Sequence, residues 1–186
     1  MRRNLLILDI DGVIADCSHR LHFQQAKDYD AFYSAENMLK DGVIVRGKNL
    51  ARNLALGEYS MDRCDIFFLT GRPERTRLVT EAWMDHNDIY LRPEAMIMRR
   101  DGDYRPSDIV KSQGLLKYFW DRYIDGKKPR EVNKLKKKKI EEVIPELIKD
   151  YEDIYYIDDD PKNVKAVCEL FPQITGIVFG TERIVC

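Results

Sequence analysis

The feature that most constrains the fold is an alternation of short apolar runs with longer segments of helical periodicity. Five such runs occur, at residues 5–9, 65–70, 95–98, 154–158 and 175–179. Short buried runs separated by amphipathic helices are typical of parallel strands joined by helical crossovers. The sequence therefore predicts an α/β fold with a doubly wound, Rossmann-like and mostly parallel sheet.

Helical periodicity is clearest in three segments between these runs. Apolar residues recur at the i, i+3, i+4, i+7 spacing over residues 79–86, 140–147 and 164–171, which predicts one buried face on each helix. Pro145 interrupts the second of these segments. That segment is therefore either one kinked helix or two shorter helices that meet at the proline.

The chain length favours one domain. A chain of 186 residues fits a single unit over residues 1–186, with at most a small cap or insertion. Residues 17–42 are rich in aromatic and polar side chains, and we expect a small cap or helical excursion there. Residues 120–139 contain an Asp-Gly pair, a proline and a lysine run, which predicts an exposed basic insertion.

Composition excludes several classes of protein. The net charge of −1 is unlike that of a strongly basic nucleic-acid binder. Four cysteines without CxxC pairing indicate neither a zinc site nor a disulfide framework, so we expect a reducing, cytoplasmic location. No run approaches the roughly 18 apolar residues that span a bilayer, so we expect no membrane-spanning segment and no membrane partner. We also infer no obligate protein partner.

Two aspartates follow the first predicted strand. Asp9 ends that strand, Asp11 lies two residues further on, and Gly12 permits a tight turn. Two carboxylates so close repel each other unless a cation or a proton lies between them. Magnesium (Mg²⁺), which prefers oxygen ligands, fits this need. The alternative is a helix-capping loop with two solvated aspartates.

Two later strands also end in polar residues. Asp158 ends the fourth run and Asp159 follows it, and either could face a metal while the next residue, Asp160, caps a helix. The second run ends at Thr70, and Gly71 and Arg72 follow it. Backbone N–H groups at the start of the following helix and a bidentate arginine could hold a phosphate there. The alternatives are an ordinary helix cap and an ordinary turn.

The sequence also contains a candidate cation for the acidic site and a near match to a nucleotide-binding loop. Lys111 could balance the carboxylates, although a solvated helix residue is the simpler interpretation. Residues 42–49 nearly match the P-loop, but Asn49 lacks the hydroxyl that would hold magnesium. No convincing strand precedes Gly42, so we do not expect a nucleotide-hydrolysing P-loop.

Taken in chain order, these motifs resemble those of the haloacid dehalogenase superfamily. The resemblance implies that Asp9 is the nucleophile and Asp11 the general acid and base. It also implies metal binding by the Asp9 carboxylate, the Asp11 backbone carbonyl and Asp159, with Asp158 close by. The matching residues are Asp9, Asp11, Gly12 and Asp16 in the first motif, Thr70 in the second, Lys111 in the third, and Asp158 and Asp159 in the fourth.

A closer resemblance is to the 3′-phosphatase domain of the polynucleotide kinase/phosphatase group. It is carried by DIDGVIADCSHR, TGRPERTR and MRRDGDYRPSDIVK. It implies that Arg20 and Arg72 contact substrate phosphate and that the substrate is a 3′-phosphate at a nucleic-acid end. Ser107-Asp108 stands where that group often has an Asp-Asp pair, so a role of the first of that pair does not transfer.

Two alternatives remain open at the level of the sequence. The first is a phosphatase of free nucleotides or other small phosphomonoesters, and the second is a non-catalytic phosphate-binding or partner-binding module. Charge distribution favours a polymer: residues 117–139 hold ten Lys or Arg and three acids, about +7, so the rest of the chain carries about −8. The alternative for this segment is a solvated insertion.

Overall fold

A mostly parallel sheet forms the centre of the molecule. The computed structural model describes residues 3–56, 64–89, 95–136, 138–181 and 183–184. Strand order in the main sheet is β5-β4-β1-β6-β7-β8, and β8 alone of these runs antiparallel to its neighbour. The strands are β1 Arg3–Leu8, β2 Ala15–Asp16, β3 Gly42–Val43, β4 Cys64–Pro73, β5 Ala95–Arg99, β6 Tyr151–Asp158, β7 Ile174–Val178 and β8 Arg183–Ile184.

Helices connect the strands. All three segments with helical periodicity are helical, and Pro145 lies inside a single helix rather than between two. Two short 3₁₀ turns, Ser18–Arg20 and Glu74–Thr76, precede helices. The helices are α1 Leu21–Gln25, α2 Tyr29–Phe32, α3 Ala35–Met38, α4 Val45–Leu56, α5 Arg77–His86, α6 Ser107–Ile124, α7 Pro129–Leu135, α8 Ile140–Leu147 and α9 Pro161–Leu170.

Both faces of the sheet are covered, because successive side chains of a buried strand point to opposite faces. In β1, Leu5 and Ile7 belong to a core that includes residues of α6, α8 and α9. Leu6 and Leu8 belong to a second core with residues of α5. The predicted doubly wound α/β fold is confirmed.

The strand order reverses at β1. From β1 the chain proceeds to β4 and β5 on one side, and then to β6 and β7 on the other. A crevice opens at such a switch point, beyond the carboxyl ends of the strands. Asp9 directly follows β1, and its backbone N–H donates to Ile157 O of β6 at 2.9 Å. The first motif therefore lies at this crevice.

The two segments outside the minimal sheet have different structures. Residues 17–42 form a 3₁₀ turn and helices α1 to α3, and the paired strands β2 and β3 lie at their two ends. Residues 120–124 belong to the end of α6, where Trp120 and Tyr123 pack against the core. The exposed basic segment therefore starts after Ile124, and α7 within it has no buried residue.

The apparent P-loop has a packing role. Gly47 lies in the first turn of α4, and a Cβ atom added there would lie 1.7 Å from the carbonyl oxygen of Val13. Lys48 donates to the backbone carbonyl of Asn87. The glycine lets α4 approach the backbone that follows β1, and the lysine is bound to the end of α5.

Cysteine usage differs in part from the expectation. Cys168 is disulfide-bonded, a single bond that the prediction of no disulfide framework did not include. Cys17 and Cys64 are free. No helix in the described ranges is both long and apolar enough to cross a lipid bilayer.

Candidate active site

Asp9 lies in a buried position at the end of β1. It is 4% exposed; its Oδ1 accepts from Ile10 N at 2.8 Å, and its Oδ2 lies 2.7 Å from Lys111 Nζ. Burial raises the pKa of Asp9 well above its usual value, although Lys111 favours the charged form. Helix α6 thus delivers an ammonium group directly to the predicted nucleophile.

Asp158 orients this lysine. Its Oδ2 accepts from Lys111 Nζ at 2.6 Å and from the Tyr156 hydroxyl. Its Oδ1 accepts from Asp160 N at 2.9 Å and Asn163 Nδ2 at 3.0 Å. Burial disfavours the charged form of Lys111, but Asp9 and Asp158 outweigh it and raise the pKa of Lys111. Both oxygens of Asp158 are therefore engaged by protein donors.

Asp159 faces the loop after β1 and depends on a glycine there. Gly12 has φ +81°, and a Cβ atom on it would lie 2.1 Å from Asp159 Oδ2. The side chain of Asp159 is exposed. Partial desolvation and the neighbouring Asp158 raise the pKa of Asp159 to about 6. The turn at Gly12 thus leaves room for a carboxylate beside the reaction centre.

Asp9, Asp158 and Asp159 form a carboxylate cluster. One oxygen from each lies within 4.8 Å of the others. Three carboxylates against the single charge of Lys111 leave about −2, the charge that a divalent cation would neutralise. All donors in the cluster are oxygens, the ligands that Mg²⁺ prefers. The donor set therefore fits the predicted metal, with Asp9 and Asp159 the residues best placed to hold it.

The Asp11 side chain lies outside this cluster and contacts two arginines. Arg72 Nη2 lies 2.6 Å from Asp11 Oδ1, its Nε lies 3.1 Å from Asp11 Oδ2, and Arg20 Nη2 lies 2.9 Å from Oδ1. Desolvation favours the neutral carboxyl group, but Arg72 and Arg20 outweigh it and lower the pKa of Asp11. Both arginines that were predicted to bind phosphate contact Asp11 in this structure.

Asp41 completes this arrangement, and sequence reasoning missed it. Its carboxylate accepts from Arg20 Nε at 2.7 Å and from Arg72 Nη2 at 2.7 Å, and its side chain is fully buried. Asp11, Arg20, Asp41 and Arg72 form what we call the arginine network, whose formal charges cancel. Asp41 precedes a glycine near the end of residues 17–42, so a turn was its only visible signal.

Aromatic rings enclose the two guanidinium groups. Arg20 Cζ lies 4.2 Å from the centroid of the Phe32 ring, and Arg72 Cζ lies 5.7 Å from that of Trp83. Trp83 Nε1 also donates to the backbone carbonyl of Asp41 at 2.8 Å. Such cation–π contacts stabilise desolvated guanidinium groups, and both arginines have 0% exposure.

The second motif lies at the end of β4. Thr70 is 1% exposed, and its Oγ1 accepts from Arg72 N at 3.2 Å. The Gly71 carbonyl accepts from Arg99 Nε at 3.0 Å and the Tyr33 hydroxyl at 3.3 Å. Residues 17–42 therefore contact this motif directly. By contrast, Asp16 of the first motif is exposed, and its Oδ1 accepts from Ser18 N.

The fold is similar to that of chains in known structures. Two solved chains from structures of the Pnkp1/Rnl/Hen1 complex, one described as an RNA repair complex, match 95% of this chain. Their TM-scores are 0.58 and 0.57, with 18% and 14% sequence identity. The chain shares their fold. The predicted resemblance is thereby confirmed at the level of the fold.

The matched region is only part of each of the two solved chains. The chain spans 42% and 45% of those two solved chains, less than half of each. A HAD domain of the effector protein Lem4 from Legionella pneumophila matches 94% of the chain and 84% of its own length, with a TM-score of 0.46 and 12% identity. No protein-family model and no curated protein sequence matches the chain.

Proposed function

We propose that this chain is a phosphomonoesterase of the haloacid dehalogenase kind with Asp9 as its nucleophile. The observation that carries the proposal is the position of Asp9, buried at the switch point of the sheet and 2.7 Å from Lys111. Mg²⁺, held by Asp9, Asp159 and the Asp11 backbone carbonyl, would neutralise charge on the transferring phosphoryl group. A carboxylate is an established nucleophile for such transfers.

The reaction has two steps. An Asp9 oxygen attacks phosphorus and the bond to the leaving oxygen breaks. Asp11, protonated once the substrate phosphate has taken Arg20 and Arg72 from it, gives that oxygen a proton, which leaves an aspartyl-phosphate. Asp11 then accepts a proton from water, the water oxygen attacks phosphorus, and the bond to Asp9 breaks to release phosphate. Lys111 balances the charge of Asp9 throughout, and the Thr70 hydroxyl with the Gly71 backbone binds the phosphate oxygens. These groups lie at a strand end rather than at a helix N-terminus, because α5 begins only at Arg77.

The proposed substrate is a 3′-phosphate at a nucleic-acid end. The motifs shared with the polynucleotide kinase/phosphatase group support this choice, as does the shared fold with chains of an RNA repair complex. Arg20 and Arg72, fully buried here, would bind the phosphate by exchanging their contacts with Asp11 for contacts with phosphate oxygens. The second candidate is a free nucleotide or another small phosphomonoester, because the motifs themselves do not report substrate size.

The nucleophile and the metal are tested together. We expect hydrolysis of p-nitrophenyl phosphate to need Mg²⁺ and to stop in EDTA. Asp9→Asn should retain the fold and lose activity by a factor on the order of 10⁶, as for other catalytic nucleophiles. The control is Asp85→Asn, an exposed aspartate on α5, which should match wild type.

Two results would contradict this proposal. Asp9→Asn activity above about a hundredth of wild type would exclude the covalent mechanism, since a lost nucleophile costs far more. Full turnover in EDTA would exclude the metal. A wild-type protein that binds phosphate but hydrolyses no phosphomonoester would indicate the non-catalytic alternative.

A further inference from the structure

An open cleft adjoins the candidate active site. Its volume is about 590 Å³. One wall is formed by residues 24–33, in α1, α2 and the turn between them, and the other by residues 99–107 at the end of β5 and the start of α6. Tyr33 from the first wall and Arg99 from the second both donate to the Gly71 carbonyl. Both walls of the cleft therefore contact the second motif.

The cleft is basic, in contrast to the acidic reaction centre. Five Lys or Arg and three Asp line it, so its formal charge is about +2. Arg99 donates to the backbone carbonyls of Gly71, Asp103 and Arg105, and these uncharged partners do not neutralise its charge. The lining residues with charge are Lys27, Arg75, Arg99, Arg100, Arg105, Asp28, Asp30 and Asp103.

Aromatic rings on both walls are open to solvent. Tyr104 is 88% exposed and Tyr29 is 44% exposed, whereas Phe67 and Phe119 pack in the core. Tyr104 lies directly before Arg105 in a loop that begins with Arg100. Exposed aromatic rings beside cations along a groove are typical of surfaces that bind single-stranded nucleic acid, because bases stack on the rings.

We propose that this cleft binds the nucleotides of a single-stranded polynucleotide that lie next to the terminal phosphate. A base stacks on Tyr104, and Arg100 and Lys27 contact backbone phosphates. The inference rests on the proposed function, because it takes the terminal phosphate to lie between Gly71 and Asp9. A free nucleotide would leave the outer cleft empty, so the cleft selects polymer ends over mononucleotides.

Binding to a protein that cannot turn over its ligand tests the cleft separately from the chemistry. In the Asp9→Asn protein, we expect an eight-nucleotide 3′-phosphorylated strand to bind at least about tenfold more tightly than a nucleoside 3′-monophosphate, since each stacked base contributes about 1–3 kcal/mol. DNA and RNA strands form separate arms. Fluorescence anisotropy gives Kd over a series of salt concentrations.

Single substitutions then locate the strand. Tyr104→Ala should weaken strand binding about tenfold, the loss of one stacked base. Arg100→Ala should flatten the slope of log K against log salt by about 0.7, the loss of one phosphate contact to a single strand. Leu78→Ala and Arg52→Ala change exposed side chains outside the cleft and serve as matched controls that bind as the parent protein does.

The outcomes separate the two proposals. Equal affinity for the strand and the mononucleotide, or cleft variants that bind as the controls do, would overturn the cleft as a strand site whatever the enzyme does with p-nitrophenyl phosphate. Selective strand binding that is lost in Tyr104→Ala supports the cleft even if wild-type protein hydrolyses no phosphomonoester. The absence of hydrolysis would contradict the proposed function but not the strand-binding cleft.

Discussion

Asp41 holds two buried guanidinium groups beside the predicted general acid. Arg20 and Arg72 each contact both Asp11 and Asp41. Charges removed from water are stable only when they are paired and hydrogen-bonded. Asp41 therefore positions the arginines, and through them it positions the carboxylate of Asp11.

We expect Asp41→Asn to destabilise the fold and to slow catalysis. Removing one charge from a buried network leaves an uncompensated guanidinium, which costs about 3–5 kcal/mol. A misplaced Asp11 should lower kcat more than it changes KM for p-nitrophenyl phosphate. Urea denaturation measures the change in the free energy of unfolding, and steady-state kinetics measures kcat and KM.

A second buried aspartate provides the control for this substitution. Asp65 is 7% exposed, but its ion-pair partner Arg3 has a side chain that is 53% exposed. Such a pair contributes about 1 kcal/mol or less, so Asp65→Asn should be mild and should leave kcat near wild type. Equal effects of the two substitutions would show that Asp41 has no special part in the site.

At the scale of elements, close approach between α4 and the loop after β1 shapes one side of the site. Ile44 N donates to Ile14 O at 2.8 Å just before α4 begins. Gly47, one turn later, faces the Val13 carbonyl. The loop that contains Asp11 and Gly12 leads directly into this contact, so the position of α4 bears on the first motif.

Gly47→Ala should therefore be destabilising. A Cβ atom 1.7 Å from the Val13 oxygen forces backbone to move, and overpacking of this kind costs about 1–3 kcal/mol. The matched control is Gly114→Ala in α6, where the nearest atom is Ile97 Cγ2 at 3.3 Å. That side chain has to move by only a few tenths of an ångström, and the helix propensity of alanine, worth about 1 kcal/mol, offsets the contact. If the two variants have the same urea midpoint, α4 does not pack as described.

Charge is distributed unevenly over the whole molecule. The segment 117–139 carries about +7 and the remainder about −8. Lys136, Lys138 and Lys139 are exposed, and Lys137 lies outside the described residues. A basic surface on an otherwise acidic molecule attracts the backbone of a polymer more strongly than one nucleotide. We hypothesise that backbone phosphates of a bound strand contact the Lys134–Lys139 run, on a path that leads to Arg20 and Arg72.

Neutralising residues 136–139 to glutamine tests that hypothesis. Binding of a 3′-phosphorylated strand should weaken, and its salt slope should flatten by up to about 0.7 per lost contact. Hydrolysis of p-nitrophenyl phosphate should be unchanged. If the variant binds the strand with wild-type affinity at every salt concentration, these lysines do not contact the strand. The free-nucleotide alternative is then favoured. A control variant neutralises the exposed lysines Lys40, Lys149, Lys162 and Lys165.

Local pattern was enough to predict the α/β fold and to predict that Asp9, Asp158 and Asp159 come together, whereas the role of Lys111 was implied by the family resemblance. Each of these strands is predicted by its own apolar run, and an aspartate that follows a run must lie at a strand end. Because parallel strands present their carboxyl ends at one edge, such residues converge whatever the details of the connections. Chain order alone therefore predicted the carboxylate cluster.

The arginine network and the cleft needed the tertiary structure. Asp41 meets Arg20 from 21 residues away and Arg72 from 31, and no periodicity relates those positions. Tyr33 and Arg99 meet at Gly71 from distant parts of the chain for the same reason. A buried ion pair or a cleft wall depends on which loops the fold brings together, and that choice is made by packing of the whole molecule rather than by any short segment.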